Sequence, residues 1–315
     1  MAGRAAVTVS RDEVLTAARR ITGQVERTPL IPSSAGYLKC ECLQTGGSFK
    51  LRGATNRLLQ LTDAEKKRGV VAFSSGNHAQ GVAIAAQRLG VPATIVMPAD
   101  APAVKVEGTR RAGAEIIFYD RLSESREAIA GRLGEERGLV VVPSFDDVMI
   151  VAGQGSVGVE ILDQMPVAPT RIVVPCGGGG LASGIALACS DAEIIAVEPA
   201  GWDDMGRSLD AGEILPVGPN PPPTLCDALQ TLRVSPITFG TLAEKQVEAV
   251  SVTEAQVREA VRWAWAEHGL TVEPGGAVGL AAVLAGIVPR DEGTVIILSG
   301  GNIDPALHAE LVGKA

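Results

Sequence analysis

The sequence predicts an α/β protein with two lobes, each built on a parallel sheet that is covered by helices on both faces. Short runs rich in Val and Ile alternate with longer Ala-rich segments of helical period, which is the pattern of buried strands joined by crossover helices. Four such strand–helix units occupy residues 69–144, and a second series runs from 170 to 300. Two series of this kind favour two lobes over one sheet.

The individual elements follow from local patterns. The strands are predicted from short apolar runs bounded by turn residues, in the order GVVAF, ATIVMP, AEIIFYD, LVVVP, TRIVVPC, EIIAVEP and GTVIILSG. The helices are predicted from longer periodic segments, several of which close on glycine: HAQGVAIAAQRLG, SESREAIAGRLGEE, SVGVEILDQM, LASGIALAC and TEAQVREAVRWAWAEHG. The proline-rich stretch 216–229 is predicted to be a loop, because helices and strands resume beyond it.

Composition and charge exclude several classes of function. Apolar residues make up 46% of the chain and charged residues 20%, as in ordinary folded proteins. The formal net charge of −8 argues against binding to nucleic acid or to an anionic membrane, so we expect neither partner. Residues 1–20 lack the apolar run of a signal peptide, and no run of about 18 apolar residues could span a membrane.

The five cysteines are predicted to be reduced core thiols. Their number is odd, and none has the CxxC spacing of a zinc or redox site. Cys40 and Cys42 would place both thiols on one face of a strand. Reduced thiols without a targeting segment predict a soluble protein of the cytoplasm.

The most informative segment is RIVVPCGGGGLASGIALA, which reads as a strand, four glycines and a helix. The glycines free the backbone to curl into a nest of N–H groups, and the helix adds the positive end of its dipole: Gly177, Gly178, Gly179 and Gly180. This combination predicts a phosphate site, whereas a merely flexible loop would incur the conformational entropy cost of four glycines without a benefit. No Lys-Ser or Lys-Thr pair follows, so the segment is not a nucleoside-triphosphate loop.

A second glycine pattern points to a different cofactor. Gly153, Gly155 and Gly158 have the GxGxxG spacing that is found in dinucleotide-binding proteins. That fingerprint also expects an acidic residue about 20 positions further on, at the end of the next strand. Here that strand ends at Cys176 and runs straight into the four glycines. We therefore reject a nicotinamide cofactor.

Lys50 differs from the other six lysines of the chain. It follows a Gly-Gly-Ser turn and Phe49, and it enters an apparent helix that carries Arg52, whereas Lys39 and Lys245 sit among acidic neighbours as solvated lysines do. A helix N-terminus and nearby cations disfavour the charged form of an amine, which makes Lys50 a candidate nucleophile or base near neutral pH. With a phosphate nest, such a lysine predicts pyridoxal 5′-phosphate (PLP) as the cofactor.

Five motifs, from Arg27 to Asp304, resemble those of the serine/threonine dehydratase and serine racemase family, fold-type II PLP enzymes that include the threo-3-hydroxyaspartate dehydratases. The motifs are GSFKLRGA, SSGNHAQGVA, PCGGGGLASGIA, EPGGAVGLAA and LSGGNID. The resemblance implies that Lys50 binds PLP covalently and that Phe49 packs on its ring. It also implies that Asn77 bonds the ring hydroxyl and that Leu181 joins the four glycines in holding the phosphate.

The resemblance also implies a domain arrangement like that of the tryptophan synthase β subunit. We expect a large PLP-binding domain from residues 1–52 and 147–315, and a small, mobile domain from residues 53–146. The cofactor would lie in the cleft between them. Closure of the small domain would exclude water from the reacting groups.

Ser299 ends the strand in TVIILSGGN, so its hydroxyl is expected at the carboxyl edge of a parallel sheet, where ligands bind. In the family this serine faces the pyridine nitrogen of the cofactor. A neutral hydroxyl does not enforce a protonated nitrogen, so a long-lived carbanion is poorly stabilised. The resemblance therefore implies expulsion of a β-leaving group rather than transamination.

The segment FSSGNHAQG follows a strand and opens a helix. Its residues offer N–H and hydroxyl donors for the α-carboxylate of a substrate: Ser74, Ser75, Asn77 and His78. The alternative is that a side chain there only caps the helix. In the racemase branch, the serine that matches Ser75 is a base on the face opposite the lysine.

A divalent cation is predicted at Glu198 and Asp204, with the Trp202 carbonyl between them, because two carboxylates and a carbonyl suit Mg²⁺ or Ca²⁺. The same spacing resembles the metal site of serine racemases, and the alternative is two solvated acids. Arg126 matches an arginine that can meet a second substrate carboxylate in the racemase and hydroxyaspartate branches. Thr231 is expected to line the same pocket, and an exposed helical arginine is the alternative for Arg126.

The sequence therefore predicts a PLP-dependent dehydratase, or ammonia-lyase, that eliminates water from a β-hydroxy-α-amino acid such as serine, threonine or 3-hydroxyaspartate. The products would be a 2-oxo acid and ammonia. An amino-acid racemase of the serine or aspartate type, using the same site, is the alternative. A small-molecule amino acid is the expected substrate, and a homodimer is the expected assembly.

Overall fold

A computed structural model describes residues 8–74, 76–101, 103–120 and 123–313 of the chain. The strands found there are β1 (Leu30–Ser33), β2 (Gly36–Lys39), β3 (Val70–Phe73), β4 (Ala93–Pro98), β5 (Glu115–Tyr119), β6 (Val140–Val141), β7 (Arg171–Pro175), β8 (Glu193–Pro199), β9 (Glu248–Val252) and β10 (Thr294–Ile297). The first seven helices are α1 (Arg11–Ile21), α2 (Lys50–Leu59), α3 (Asp63–Arg68), α4 (Asn77–Leu89), α5 (Ala103–Arg111), α6 (Arg126–Arg137) and α7 (Val148–Gln154). The remaining helices are α8 (Ser156–Gln164), α9 (Gly180–Ala188), α10 (Asp204–Ala211), α11 (Pro236–Glu244), α12 (Glu254–His268), α13 (Pro274–Leu284) and α14 (Pro305–Leu311). None of these helices is long and apolar enough to cross a membrane.

The strands form two separate sheets. The smaller has four parallel strands in the order β5-β4-β3-β6. The larger has six strands in the order β1-β2-β10-β7-β8-β9, parallel except for the antiparallel β1–β2 pair. Both sheets are thus built as predicted from crossover units, and the α/β class with parallel sheets is confirmed.

Alternate residues of the central strands enter different cores. Ile172 and Val174 on β7 pack against α1, α8 and α9, which cover one face of the larger sheet. Val173, between them, packs with α12 and α13 on the opposite side. Because both faces of the sheet are buried in this way, β7 reads in the sequence as a continuous apolar run rather than as an alternating one.

Three strands were not predicted. β1 and β2 form a short hairpin that contains Pro32, and β9 lies at the opposite edge of the larger sheet. β1 and β9 are edge strands and β2 lies next to β1, and all three leave several residues partly exposed, so their sequences lack the continuous apolar run of the central strands. The placement of Cys40 and Cys42 on a strand was wrong, because β2 ends at Lys39 and Glu41–Leu43 is a 3₁₀ helix. All five cysteines are nevertheless free and buried.

A buried ion network lies beneath the start of α2. The Arg52 guanidinium donates to the Glu41 carboxylate at 2.8 Å and to Glu160 at 2.6 Å, and the Lys39 amine donates to Glu160 at 2.6 Å. The side chains of Lys39, Glu41 and Arg52 are fully buried. The expectation that Lys39 is solvated was therefore wrong: its acidic neighbours neutralise it inside the protein rather than at the surface.

The GxGxxG pattern lies within helices rather than in a cofactor loop. A Cβ on Gly153 would lie 2.7 Å from Cα of Gly53, and one on Gly155 would lie 2.7 Å from the carbonyl oxygen of Gly184. A Cβ on Gly158 would lie 2.8 Å from Cβ of Ala188. These glycines allow α7 and α8 to approach α2 and α9 closely, which gives the pattern a packing explanation.

Candidate active site

Lys50 begins α2 at the carboxyl edge of the larger sheet. The preceding segment is attached to the end of β10, because the Phe49 amide donates to the carbonyl of Ser299 at 3.2 Å and Ser48 bridges to Gly300. The attachment places the predicted lysine and the predicted serine in neighbouring segments. Ser299 is 5% exposed, and its own amide donates to the carbonyl of Gly276.

The Lys50 amine belongs to a half-buried side chain. It donates to the carbonyl of Ser144 at 3.1 Å and lies 5.1 Å from the centre of the Phe49 ring. Burial lowers the pKa of the Lys50 amine to about 8, and the charge of Glu273 opposes this shift. A lowered pKa was predicted, but the cause is loss of water rather than the helix N-terminus or neighbouring cations.

The four glycines form a closely packed turn before α9. Gly179 has a left-handed backbone with φ of 82°, and a Cβ there would lie 2.5 Å from the methyl group of Met205. A Cβ on Gly178 would lie 2.3 Å from the ring of Phe145, the residue after the carbonyl partner of Lys50. Backbone alone therefore fits this turn, and Ser144–Phe145 connects it to the Lys50 amine. The turn leads into the N-terminus of α9, where Leu181 is buried.

A second helix N-terminus is available at α4. Its N-cap is Gly76, which offers no side-chain cap, and the Ser74 hydroxyl accepts a hydrogen bond from the Gly76 amide at 3.1 Å. The first amides of α4 therefore lack the side-chain oxygen that usually satisfies them, which suits a carboxylate ligand. Ser75, the predicted second base, lies outside the described residues.

The His78 ring is neutral and turned inward. Its Nε2–H donates to the carbonyl of Val142 at 2.9 Å, which leaves Nδ1 unprotonated, buried and without a partner in the described structure. Burial and the nearby Lys50 lower the pKa of this imidazole to about 3. His78 can therefore offer an anion its backbone N–H but not a ring N–H at Nδ1.

Asn77 belongs to a buried polar chain that sequence reasoning missed. Its side-chain amide donates to the Glu273 carboxylate, and its side-chain oxygen accepts from Asn302 at 2.8 Å. The other Glu273 oxygen is buried without a partner among the described atoms. Burial, and then the charge of Asp227, raise the pKa of Glu273 to about 7. Glu273 opens the motif EPGGAVGLAA, so the motif was a signal, although no function was assigned to its carboxylate.

The predicted metal ligands lie behind the glycine turn. Glu198 ends β8 and accepts from the amides of Met205 and Gly206, at 3.0 and 2.8 Å. Both Asp204 oxygens are buried without a partner in the part of the chain described. Burial raises the pKa of Glu198 to about 8 and that of Asp204 to about 7. Two adjacent carboxylates, one of which has no hydrogen-bond partner within the usual distance among the described atoms, fit a hard cation.

The Trp202 side chain is held by its indole N–H, which donates to the carbonyl of Pro222 at 2.8 Å. Across the described residues, no cluster of three or more His, Cys, Asp or Glu side chains could hold a metal. A cation at this place would therefore need backbone carbonyls or water to complete the set that Glu198 and Asp204 begin.

The two residues predicted to meet a second carboxylate have different surroundings. Thr231 is next to the glycine turn, since its hydroxyl would be 3.1 Å from a Cβ on Gly177. Arg126 begins α6, and its guanidinium lies 5.8 Å from the centre of the Phe73 ring and donates to Glu127 at 2.8 Å. Its side chain is 39% exposed. These contacts fit both the functional and the surface interpretation of Arg126.

The site thus combines a half-buried lysine, a glycine turn at one helix N-terminus and a second helix N-terminus without a side-chain cap. A sequence model of the family described as pyridoxal-phosphate dependent enzyme matches residues 21–300. The chain belongs to this family. The fold-type II prediction is thereby confirmed.

Known relatives of the protein are lyases and racemases. The chain is 41% identical to an L-threo-3-hydroxyaspartate ammonia-lyase from Pseudomonas sp, over 96% of this chain and 98% of that protein. It is 38% identical to an L-threonine ammonia-lyase from Thermotoga maritima, over 97% of this chain and 79% of the relative. The solved structure of maize serine racemase superposes with a TM-score of 0.90 at 36% identity, covering 97% of each chain.

Proposed function

We propose that the protein is a PLP-dependent ammonia-lyase that acts on a β-hydroxy-α-amino acid, with 3-hydroxyaspartate, serine and threonine as the candidate substrates. The observation that carries the proposal is the half-buried Lys50, whose amine contacts Ser144–Phe145 beside the glycine turn and whose chain segment is attached to the end of β10. The family and the names of two ammonia-lyase relatives support the same reaction class. The products are a 2-oxo acid and ammonia.

The residues present fit PLP. The tight, side-chain-free turn at Gly177–Gly180 and the N-terminus of α9 would hold its phosphate, with Leu181 beside them. Lys50 would hold the cofactor covalently, with Phe49 against the ring, Asn77 at the ring hydroxyl and Ser299 at the ring nitrogen. When bound, PLP supplies an electron sink for the electron pair left at the substrate Cα.

The protein's own groups supply binding and proton transfer. The uncapped N-terminus of α4, with Ser74, Ser75, Asn77 and His78, binds the substrate α-carboxylate. Lys50 removes the proton from Cα, for which a pKa of about 8 is well matched. The bond between Cβ and its hydroxyl breaks, the hydroxide takes up the proton held by Lys50 and leaves as water, and the remaining enamine is hydrolysed to the 2-oxo acid and ammonia. Residues 53–146 act as the small, mobile domain whose closure excludes water, and residues 1–52 and 147–315 act as the large domain.

A racemase is the second candidate function. By the family resemblance, Ser75 occupies the position of the racemase base. The fold also matches that of maize serine racemase. With Lys50 on one face of Cα and Ser75 on the other, a proton removed from one side could be returned on the opposite side. Chiral analysis of recovered serine, run beside 2-oxo-acid formation, separates the two activities.

Three further proposals concern the protein as a whole. Glu198, Asp204 and the Trp202 carbonyl hold Mg²⁺ or Ca²⁺, which the Asp204 carboxylate, without a hydrogen-bond partner among the described atoms, supports. Arg126 and Thr231 meet the second carboxylate of a dicarboxylic substrate. The protein works in the cytoplasm as a homodimer; five free, buried thiols support the location, and the family resemblance supports the assembly.

Replacing Lys50 tests the proposed function. We expect the purified wild-type protein to show a visible absorption band with PLP and to keep the cofactor on the Lys50 peptide after borohydride reduction, as detected by mass spectrometry. Lys50→Ala should lose the covalent cofactor and lower kcat for 2-oxo-acid release from L-threo-3-hydroxyaspartate or serine by at least about 1,000-fold. Lys67→Ala, at an exposed position in α3, is the matched control. Retention of the band and of the activity by Lys50→Ala would rule out this assignment.

A further inference from the structure

One ion pair crosses the cleft between the two sheets. The Lys105 amine on α5, in the part of the chain that forms the smaller sheet, pairs with the Asp227 carboxylate. Asp227 starts a 3₁₀ helix, Asp227–Leu229, which packs against α13 on the larger sheet. This pair therefore joins two parts of the molecule that the proposed reaction must open and close.

The pair lies at the proposed carboxylate site. A Cβ built on Gly76, the N-cap of α4, would be 3.9 Å from the Lys105 amine. The charges of both partners reach Glu273, since Asp227 raises its pKa and Lys105 lowers it. Lys105 thus stands over the N-terminus of α4, next to the buried chain that orients Asn77.

The two partners differ in their exposure to solvent. The Lys105 side chain is 11% exposed, whereas that of Asp227 is 48% exposed. An ammonium with so little water needs a counter-charge at all times, while a half-exposed carboxylate can return to water at small cost. A carboxylate that arrives from the cleft could therefore take the place of Asp227 without leaving either charge buried and unpaired.

We propose that Lys105 is a specificity-determining residue that binds the second carboxylate of a dicarboxylic substrate, with Asp227 as the group that this carboxylate displaces. The inference rests on the proposed function, because the α-carboxylate must occupy the N-terminus of α4 to bring the second carboxylate to Lys105. A substrate with one carboxylate, such as serine, leaves the Lys105–Asp227 pair intact. Lys105 acts here in addition to Arg126, whose guanidinium is more exposed and paired with its chain neighbour.

The test compares two substrates in the PLP-loaded protein. We expect Lys105→Met to lower the ratio of kcat/KM for L-threo-3-hydroxyaspartate to kcat/KM for L-serine by at least about tenfold, because only the dicarboxylic substrate loses its second ion pair. Lys105→Arg should restore most of the preference. Asp227→Asn frees the amine, so KM for hydroxyaspartate should fall. Lys67→Met removes the same charge from an exposed site and should leave the ratio unchanged.

A second measurement does not depend on turnover. Succinate, a dicarboxylate, should raise the melting temperature of the wild-type protein more than butyrate does, and Lys105→Met should abolish that difference. If no amino acid is converted but succinate still distinguishes the two proteins, the subsite stands and the proposed lyase function falls. If elimination proceeds and Lys105→Met lowers kcat/KM for serine and for hydroxyaspartate equally, the ion pair only holds the two parts of the molecule together and the inference is wrong. Selectivity lost in Arg126→Met alone would contradict it as well.

Discussion

The chemistry of the site depends on how little water reaches a few ionisable groups. Burial lowers the pKa of the Lys50 amine to about 8 and raises the pKa of the Glu273 carboxyl to about 7. Near neutral pH both groups are therefore close to the point at which they gain or lose a proton. General acid–base catalysis works best under that condition.

His78 gives a prediction about pH at the scale of a single residue. Its folded-state pKa of about 3 lies below the ordinary value of 6.5. Between these two pH values the imidazole binds a proton in the unfolded chain but not in the folded protein. Stability should therefore fall as pH drops below about 6.5, by about 2 kcal/mol at pH 5 from this residue. His78→Gln, which keeps a donor for Val142, should remove that part of the loss. Urea unfolding of both proteins at pH 7.5 and pH 5 measures it.

The two proteins should keep a constant stability difference above pH 7.5, where the imidazole is neutral both folded and unfolded. That interval serves as the internal control. An equal loss of stability in both proteins between pH 7.5 and pH 5 would show that His78 takes up its proton in the folded state.

Short sequence motifs identify some of the site residues. They do not identify residues whose role depends on contacts with residues far away in the sequence. Lys50, the four glycines and Ser299 follow from short patterns, and the structure brings their segments together. The place of Glu273 in the site depends on its hydrogen bond with Asn77, which is 196 positions away in the chain. Lys39 was misjudged for the same reason, because the Glu160 that neutralises it is 121 positions away.

At the scale of elements, apolar runs identified seven of the ten described strands, including β5 and β6 at the edges of the smaller sheet. β9 and the β1–β2 hairpin could not be recognised because their pairing depends on β8 and β10, which are far away in sequence. The glycines of α7 and α8 show the opposite case. Their spacing matches a cofactor loop, but contacts of their backbone with Gly53, Gly184 and Ala188 account for them.

The junction of β8 and α10 gives a prediction about cations. Because both Asp204 oxygens are buried without a partner in the described structure, Mg²⁺ or Ca²⁺ should raise the melting temperature of the wild-type protein by several degrees. Asp204→Asn should abolish that rise, since an amide is a weaker ligand and carries no charge. Thermal unfolding of protein that has been treated with a chelator, before and after the cation is added, measures the effect.

Asp203→Asn is the matched control for this experiment. Asp203 neighbours Asp204 but is half-buried and paired with Arg207, so its loss should leave the cation effect unchanged. A melting temperature that changes neither on chelation nor on cation addition would show that Glu198 and Asp204 do not bind a cation.

At the scale of the whole molecule, the buried ion network joins β2 and the 3₁₀ helix that follows it to α2 and α8. Glu41→Gln would leave the fully buried Arg52 and Lys39 side chains with one carboxylate, Glu160, whose side chain is 17% exposed. We expect the free energy of unfolding to fall by about 3 kcal/mol or more, because an uncompensated buried charge remains. Urea unfolding of the PLP-free protein measures this change.

Glu259→Gln removes the same charge from an exposed pair with Arg262 and should cost less than about 1 kcal/mol. If the two variants lose the same stability, the network contributes no more than a surface pair. Two-state analysis requires that different probes give the same transition, so fluorescence and circular dichroism should be followed together.

The order of strands in the larger sheet has a consequence for how the protein is made. β2 pairs with β10, so Tyr37 lies opposite Val295 and one edge of β2 has no neighbour until β10 has left the ribosome. The four strands between Val70 and Val141 form a contiguous unit that can assemble early. A nascent chain would therefore carry a finished small sheet together with an unpaired amino-terminal hairpin, and that hairpin is the segment that a chaperone would have to shield.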